Sequence, residues 1–262
     1  MRGKLGLPAG KAFLDLACTR HGGDEAYADT RRWELQLSHL GGVIPRWKGL
    51  GRKFPAPESV DVWPHEQRAV FHHFPHAGHV GVYHRGRVAL GLDPDADLDG
   101  PSHRATFVGI AKWRTWWPED LIYFLGYSLV HYVSLPFSLR EQELIEARRG
   151  SRGVELWFRF PEGADTHSRV QGFYFDESGL LLRHDYRAEI LGAVFNGAHV
   201  SEEYQDVGGL QLATRRTVYA KPWHYPVRTR LPLPVLTACL RPRPNEPAIG
   251  PGTSASRSSS DS

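Results

Sequence analysis

The sequence predicts a mainly β (α+β) domain in which one curved antiparallel sheet, a half-barrel, wraps a single buried helix. Three observations carry this expectation. Between Trp33 and His84 apolar and polar residues alternate with period two, as in half-buried strands. A second run of strand-like segments follows Val154, punctuated by Asp176-Glu177-Ser178-Gly179 and Gly208-Gly209. Between the two runs lies Pro118–Phe137, PEDLIYFLGYSLVHYVSLPF, apolar on most faces of a helix and therefore expected inside.

Each element follows from local chemistry. Residues 8–33 read as a helix broken at Gly22-Gly23 and resumed near Asp24, with Leu14, Ala17 and Cys18 on one face. Trp33, Leu35 and Leu37 begin the alternation and Gly41-Gly42 is expected to turn. Val60–Val62, Arg68–Phe74 and Val80–His84 continue it, with a hairpin at Arg85-Gly86 before Val88 and Leu90. Residues 93–104 form an acidic loop. Pro118 suits a first helical turn and Glu119 and Asp120 complement the helix N-terminus, so the helix is expected over residues 118–135, ended by Pro136. Val154–Phe160, Val200–Val207 and Leu210–Tyr219 are strands, and Leu233–Leu240 is a last one placed at an edge by Pro232 and Pro234. Residues 1–240 thus make one domain. Residues 241–262 have a tail's Pro, Ser and Gly content.

The hairpin over residues 165–190 points to a site. With a two-residue loop between Asp176 and Gly179, Phe175 faces Leu180, Phe173 faces Leu182, Gln171 faces His184 and Arg169 faces Tyr186. This face passes from Phe and Leu to Gln171, His184, Arg169, Tyr186 and His167, as one wall of a ligand cavity would. Ser168, Tyr174, Arg183, Asp185, Arg187 and Glu189 fall on the opposite, solvent-facing side. Tyr123, Tyr127 and His131 on the helix are expected to face the site, with Trp113 and Trp117 as an aromatic wall.

The chemistry expected is acid–base work without a cofactor. His184, Tyr186, His131 and Arg169 are the catalytic candidates; Gln171, His167, Phe173, Tyr123, Tyr127, Trp113 and Trp117 are the ligand-binding ones. The run HHFPHAGH (His72–His79) is not read as a metal site: Pro75 and Gly78 forbid a regular helix, and His72 and His73 point to opposite faces of a strand. No hydrolase elbow, nucleotide-binding glycine loop or Cys–His signature is found, so no cofactor is expected. With 32 Lys and Arg against 29 Asp and Glu, and no basic stripe, nucleic acid is not an expected partner. No apolar run approaches a membrane span. Pro8, Gly10, Lys11 and Asp15 interrupt the N-terminal segment, so a cytoplasmic protein is expected rather than an exported one. The partner expected is a lipophilic small molecule, and the oligomeric state is left open. The alternative function is a non-catalytic carrier or sensor of an acyl or polyketide-like ligand.

Several motifs together carry a resemblance: His21-Gly22-Gly23, Pro118–Phe137, THSR (Thr166–Arg169) with Phe173–Phe175, LLRHDY (Leu181–Tyr186) and TRRTVY (Thr214–Tyr219). The chain resembles a group of largely uncharacterised bacterial proteins with W-D-D-L-x-x-x-Y-F-x-G-Y-A-x-W-x-Y-L-x-x-P-F, T-H-S-R, L-R-R-H-D-Y and P-T-R-R motifs. More distantly it is similar to the LolA-like lipoprotein-carrier half-barrels, in which a curved sheet wraps helices and holds an acyl chain. That resemblance implies a greasy pocket and no particular chemistry. This chain has His131 where the group has Trp, Pro118-Glu119 where it has Trp-Asp, and Ala213 where it has Pro. On composition, truncation after Leu240 is expected to leave the melting temperature nearly unchanged in a thermal melt.

Overall fold

The computed structural model describes residues 3–91, 93–95, 98–150, 153–192, 194–221 and 234–243. Its strands are β1 (Gly3–Leu5), β2 (Trp33–Gly41), β3 (Ser59–Trp63), β4 (Arg68–His72), β5 (Val80–His84), β6 (Arg87–Gly91), β7 (Glu143–Arg149), β8 (Val154–Arg159), β9 (Val170–Phe175), β10 (Leu181–Arg187), β11 (Asn196–Val207), β12 (Leu210–Ala220) and β13 (Pro234–Arg243). The helices are α1 (Leu7–Arg20), α2 (Gly23–Asp29), α3 (Val43–Lys48) and α4 (Pro118–Ser134).

All thirteen strands join one unclosed antiparallel sheet in the order β1-β7-β8-β9-β10-β11-β12-β13-β2-β3-β4-β5-β6. The fold class is thus the mainly β, curved-sheet architecture expected. The two hairpin runs, β2–β6 and β7–β13, meet at one seam, where β13 pairs with β2 (Thr237 opposite Gly41, Arg243 opposite Glu34). This corrects the edge assignment for the last strand. Pro234 opens β13 and Pro242 lies next to its end, positions where a missing N–H interrupts little of the ladder. β13 also runs three residues past Leu240, so a cut there would remove residues paired with Gln36, Leu35 and Glu34. The paired strand therefore reaches Arg243, and residues 244–262 of the expected tail lie outside the described residues. Three of these elements had no counterpart in the sequence: strands β1 and β7, and helix α3 where Gly41-Gly42 was expected only to turn.

Helix α4 is the core. Fourteen of its seventeen residues are buried. Its start is fixed by Asp120, which accepts hydrogen bonds from Trp117 N (2.8 Å), His103 Nε2 (2.9 Å) and both terminal nitrogens of Arg114 (2.5 and 3.0 Å). Burial alone would raise this carboxyl; the hydrogen bonds from His103 and Arg114 outweigh it and hold the group below the usual carboxylate range. One flank of α4 lies against β3, β4, β5 and β6. The approach depends on Gly126, where an added Cβ would stand 2.3 Å from Cγ of the buried Tyr83. Gly126→Ala removes a helix-interior glycine, which alone would stabilise by about 1 kcal/mol. The clash with an immobile ring is larger, typically about 1–3 kcal/mol. A fall in melting temperature of several degrees is therefore expected; a rise would show that Tyr83 yields.

Candidate functional site

The other flank of α4 meets the concave face of β9, β10 and β11 across a layer of polar aromatic side chains. His184 and His199 sit directly opposite each other on β10 and β11. His167 precedes β9, and Tyr127, His131 and Tyr132 come from α4. The rings form one contiguous group: His131 lies 5.2 Å from His184, His167 5.8 Å from His184, and Tyr132 4.7 Å from His199. Tyr186 stacks on His167 at 3.8 Å and Phe173 stacks on His184 at 4.5 Å.

Hydrogen bonds set the proton positions. Gln171 Nε2 donates to Thr166 Oγ1 (2.6 Å) and to the Ser168 carbonyl (2.7 Å). A carbonyl only accepts, so the amide orientation is fixed and Gln171 Oε1 points at His184 Nε2. That nitrogen must carry the proton, which leaves Nδ1 of neutral His184 as a bare lone pair. His184 Nδ1 is buried and has no protein partner among the described residues. His167 lies between two phenols, with Tyr127 OH at 3.1 Å from Nδ1 and Tyr132 OH at 3.4 Å from Nε2.

Burial dominates the ionisation of the group. It lowers His131 to about 3 and holds His167, His184 and His199 well below their ordinary value, with Arg216 adding repulsion on His131 and His199. It raises the phenols of Tyr127 and Tyr186, and takes Tyr132 up to about 12. At neutral pH the site therefore holds neutral imidazoles and protonated phenols, acceptors and donors together. Arg216, also buried, hydrogen-bonds Ser201 Oγ (3.2 Å) and the Tyr132 carbonyl (3.4 Å), and no carboxylate pairs with it among the described residues.

A cleft of about 600 Å³ leads to this group between α4 and the loop after β8. His131, Tyr127 and Thr166 line its inner part, Val130, Phe137 and Phe160 its apolar side, and His65, Glu141 and Glu162 its polar side. Behind α4, against β2, β12 and β13, a small cavity of about 20 Å³ is lined by Leu37, Phe124 and Leu129 together with Tyr186 and Arg216. The larger of these two spaces adjoins the polar cluster.

The expected residues divide into two sets. His131, His167, Gln171, Phe173, Tyr127, His184 and Tyr186 come together as described. Tyr123 is buried beside them, 5.1 Å from Tyr127, and donates to Asp165 Oδ1 (2.8 Å). Arg169 does not join: its side chain is exposed, because the chain enters β9 only at Val170. Trp113 and Trp117 also lie elsewhere, 50% and 61% exposed. The hairpin register differs from the one expected. The loop runs from Asp176 to Leu180, Phe175 pairs with Leu181, and a bulge at Leu182 brings His184 opposite Phe173. Leu182 is consequently exposed rather than inward. Gln171 reaches His184 along the face instead of across it. Ser168 and Asp185, expected on the solvent side, are buried; Asp185 pairs with Arg183 (2.6 Å) and Lys221 (2.7 Å). His199, Tyr132 and Arg216 were not among the expected site residues. The alternation of β11 would have given His199 had the strand been started at Asn196 rather than Val200. His72, from the histidine-rich run, is held by Asp61 at 3.0 Å. Among the described residues no group of three or more His, Cys, Asp or Glu is arranged to hold a metal ion.

The fold and site together define a half-barrel compatible with ligand binding, with a polar aromatic cluster between sheet and core helix. The chain matches no protein-family model and no curated protein. Among solved structures it is similar to a DUF1329 family protein from Desulfovibrio piger, at 12% identity and a TM-score of 0.41, over 92% of this chain and 94% of that one. No described helix is long and apolar enough to cross a membrane.

The depressed imidazoles make stability depend on pH. Each of His167, His184 and His199 takes up a proton on unfolding below its unfolded value near 6.5 and stays neutral in the fold. Stability is thus fully present above pH 6.5 and is lost as pH falls, by up to about 1.4 kcal/mol per pH unit for each group. Urea melts between pH 7 and 5 should show a steep acid limb, shallower in His199→Phe; a flat profile would refute the assignment.

Proposed function

We propose that the protein is a cofactor-independent acid–base enzyme, of cyclase, isomerase or lyase type, acting on a lipophilic small molecule that carries a polar reacting end. The observation that supports this reading is the proximity of His131, on the cleft wall, to His184, whose Nδ1 is bare, with ring centroids 5.2 Å apart in a site rich in protonated phenols. In this reading the apolar part of the substrate lies along Val130, Phe137 and Phe160, and its reacting end reaches His131. His131 takes a proton from carbon next to a carbonyl, with His184 as the next imidazole in line. Tyr127 donates to the carbonyl oxygen. The His167 tautomer with its proton on Nδ1 leaves the Tyr127 hydroxyl free to do so, while Nε2 accepts from Tyr132. Return of the proton at another atom completes an isomerisation or ring closure with no oxidant or reductant.

The alternative, an acyl carrier, calls for a cleft lined almost wholly by apolar groups; this cleft also has His131, Tyr127, His65, Glu141 and Glu162 in its lining. The test starts with native mass spectrometry of protein purified from its own host, to identify the bound molecule. With that molecule as substrate, His131→Gln and Tyr127→Phe should each lower turnover about a hundredfold or more and change affinity only a few-fold. Arg169→Ala, at an exposed position, should do neither. Recovery of the ligand unchanged by wild-type protein would favour the carrier.

A further inference from the structure

The tryptophans that fail to line the cleft form part of an exposed surface of a different kind. Rings of Trp47, Trp113 and Phe195 contact one another at 5.6–6.1 Å, joining α3, the segment before α4 and the loop before β11. Around them Val43, Val108, Ile110, Trp117 and Val194 are exposed, Ile110 at 88%. Single exposed apolar residues are ordinary, but a contiguous group on three segments is not.

The charge carried by the three segments that form this group has one sign. Segments 43–54 and 108–117 contain Arg46, Lys48, Arg52, Lys53, Lys112 and Arg114, and no Asp or Glu; residues 190–195 carry no charge. Lys48 is buried, donating to the carbonyls of Lys112 (2.6 Å) and Arg114 (3.1 Å), and so ties the two segments together. Arg114 is paired with Asp120. Arg46, Arg52 and Lys53 are exposed, and Lys53 Nζ lies 5.1 Å over the Trp117 ring. An open groove of about 910 Å³ enters the same face, with Arg46 and Arg52 on its rim and Leu40, Leu50 and Trp47 within it.

We infer that this face docks on an anionic lipid bilayer. Tryptophan is favoured at the membrane–water boundary, where its ring is half in hydrocarbon and its N–H stays wet. Aliphatic tips such as Ile110 and Val108 enter the acyl region, and lysine and arginine beside them pair with anionic headgroups. A nonpolar protein partner would explain the aliphatic and aromatic residues but not the one-sided charge. The surface is separate from the His131 cleft and does not depend on the function proposed for it.

The test is co-sedimentation of the full chain with vesicles of phosphatidylcholine alone or mixed with phosphatidylglycerol. Binding to the mixed vesicles is expected, at least about tenfold weaker on pure phosphatidylcholine and largely lost in about 1 M salt, where the Debye length is near 3 Å. Arg52→Glu and Lys53→Glu should each weaken it about fivefold or more. Ile110→Ser and Trp117→Ser alter only exposed side chains, so they should melt like wild type and bind at least about tenfold less. Equal binding to both vesicle types, or none to either, overturns the inference. So does a dimer in light scattering that Ile110→Ser dissociates, which would assign the face to a second copy of the chain.

Discussion

A helix without a polar face has to be enclosed on every side, and the burial of α4 dictates the shape of everything around it. Seventeen residues of helix are about 25 Å long, and a flat sheet covers only one side of such a rod whatever its extent. The thirteen strands therefore curve around it. On one flank side chains reach backbone: the Tyr83 ring packs on Gly126 and Ile122 packs on Gly81, where any side chain would hold the surfaces apart. On the other flank the sheet stands off, and the gap is filled by imidazoles and phenols. The asymmetry produces the site: close packing on one side leaves a polar aromatic layer on the other. Asp120 anchors the arrangement, because its four hydrogen bonds hold the helix start to the segment before it and to His103.

The polar layer carries a cost that a purely apolar core would avoid. Several imidazole nitrogens are buried without a protein partner, and Arg216 lies buried without a counter-charge among the described residues. Such groups destabilise a fold unless something else satisfies them. Sites that bind or transform molecules commonly accept that cost, because the same unsatisfied groups recognise the ligand. The cleft beside His131 opens onto this layer, with Tyr127 and Thr166 as well as Val130, Phe137 and Phe160 in its lining.

Much of this was legible in the residues, for reasons that also explain the gaps. The α4 assignment rested on continuous apolar character and Pro118, and these survive any tertiary context. The strand runs rested on alternation, which reports a half-buried surface directly. The inward placement of His184 and Tyr186 came out right although the hairpin register did not. The longer loop shifts β10 by one residue and the bulge at Leu182 by one more in the same direction, and a two-residue shift leaves His184 and Tyr186 on the same face. A bulge leaves no mark on composition. Arg169 was misplaced because alternation was extended back past Val170, where the strand has not begun. Trp113 and Trp117 were misplaced because aromatic residues near a buried helix read as core whichever way the connecting segment turns. Arg216 was invisible as a site residue because a lone arginine in a strand ordinarily faces water.

The seam between β13 and β2 bears on how the chain is made. Thr237 pairs with Gly41, and Arg243 with Glu34, across about two hundred residues of sequence. A ribosome releases β2 long before β13 exists. Until then β2 has a free edge on that side, and the sheet is two separate hairpin runs with α4 between them. Only β13 joins them, so enclosure of the core helix waits until residues 234–243 have emerged. An unpaired edge displayed for that interval invites pairing with other chains. The nascent protein is thus open to misassembly until β13 is made, and a pause or early termination upstream of β13 would leave that edge open.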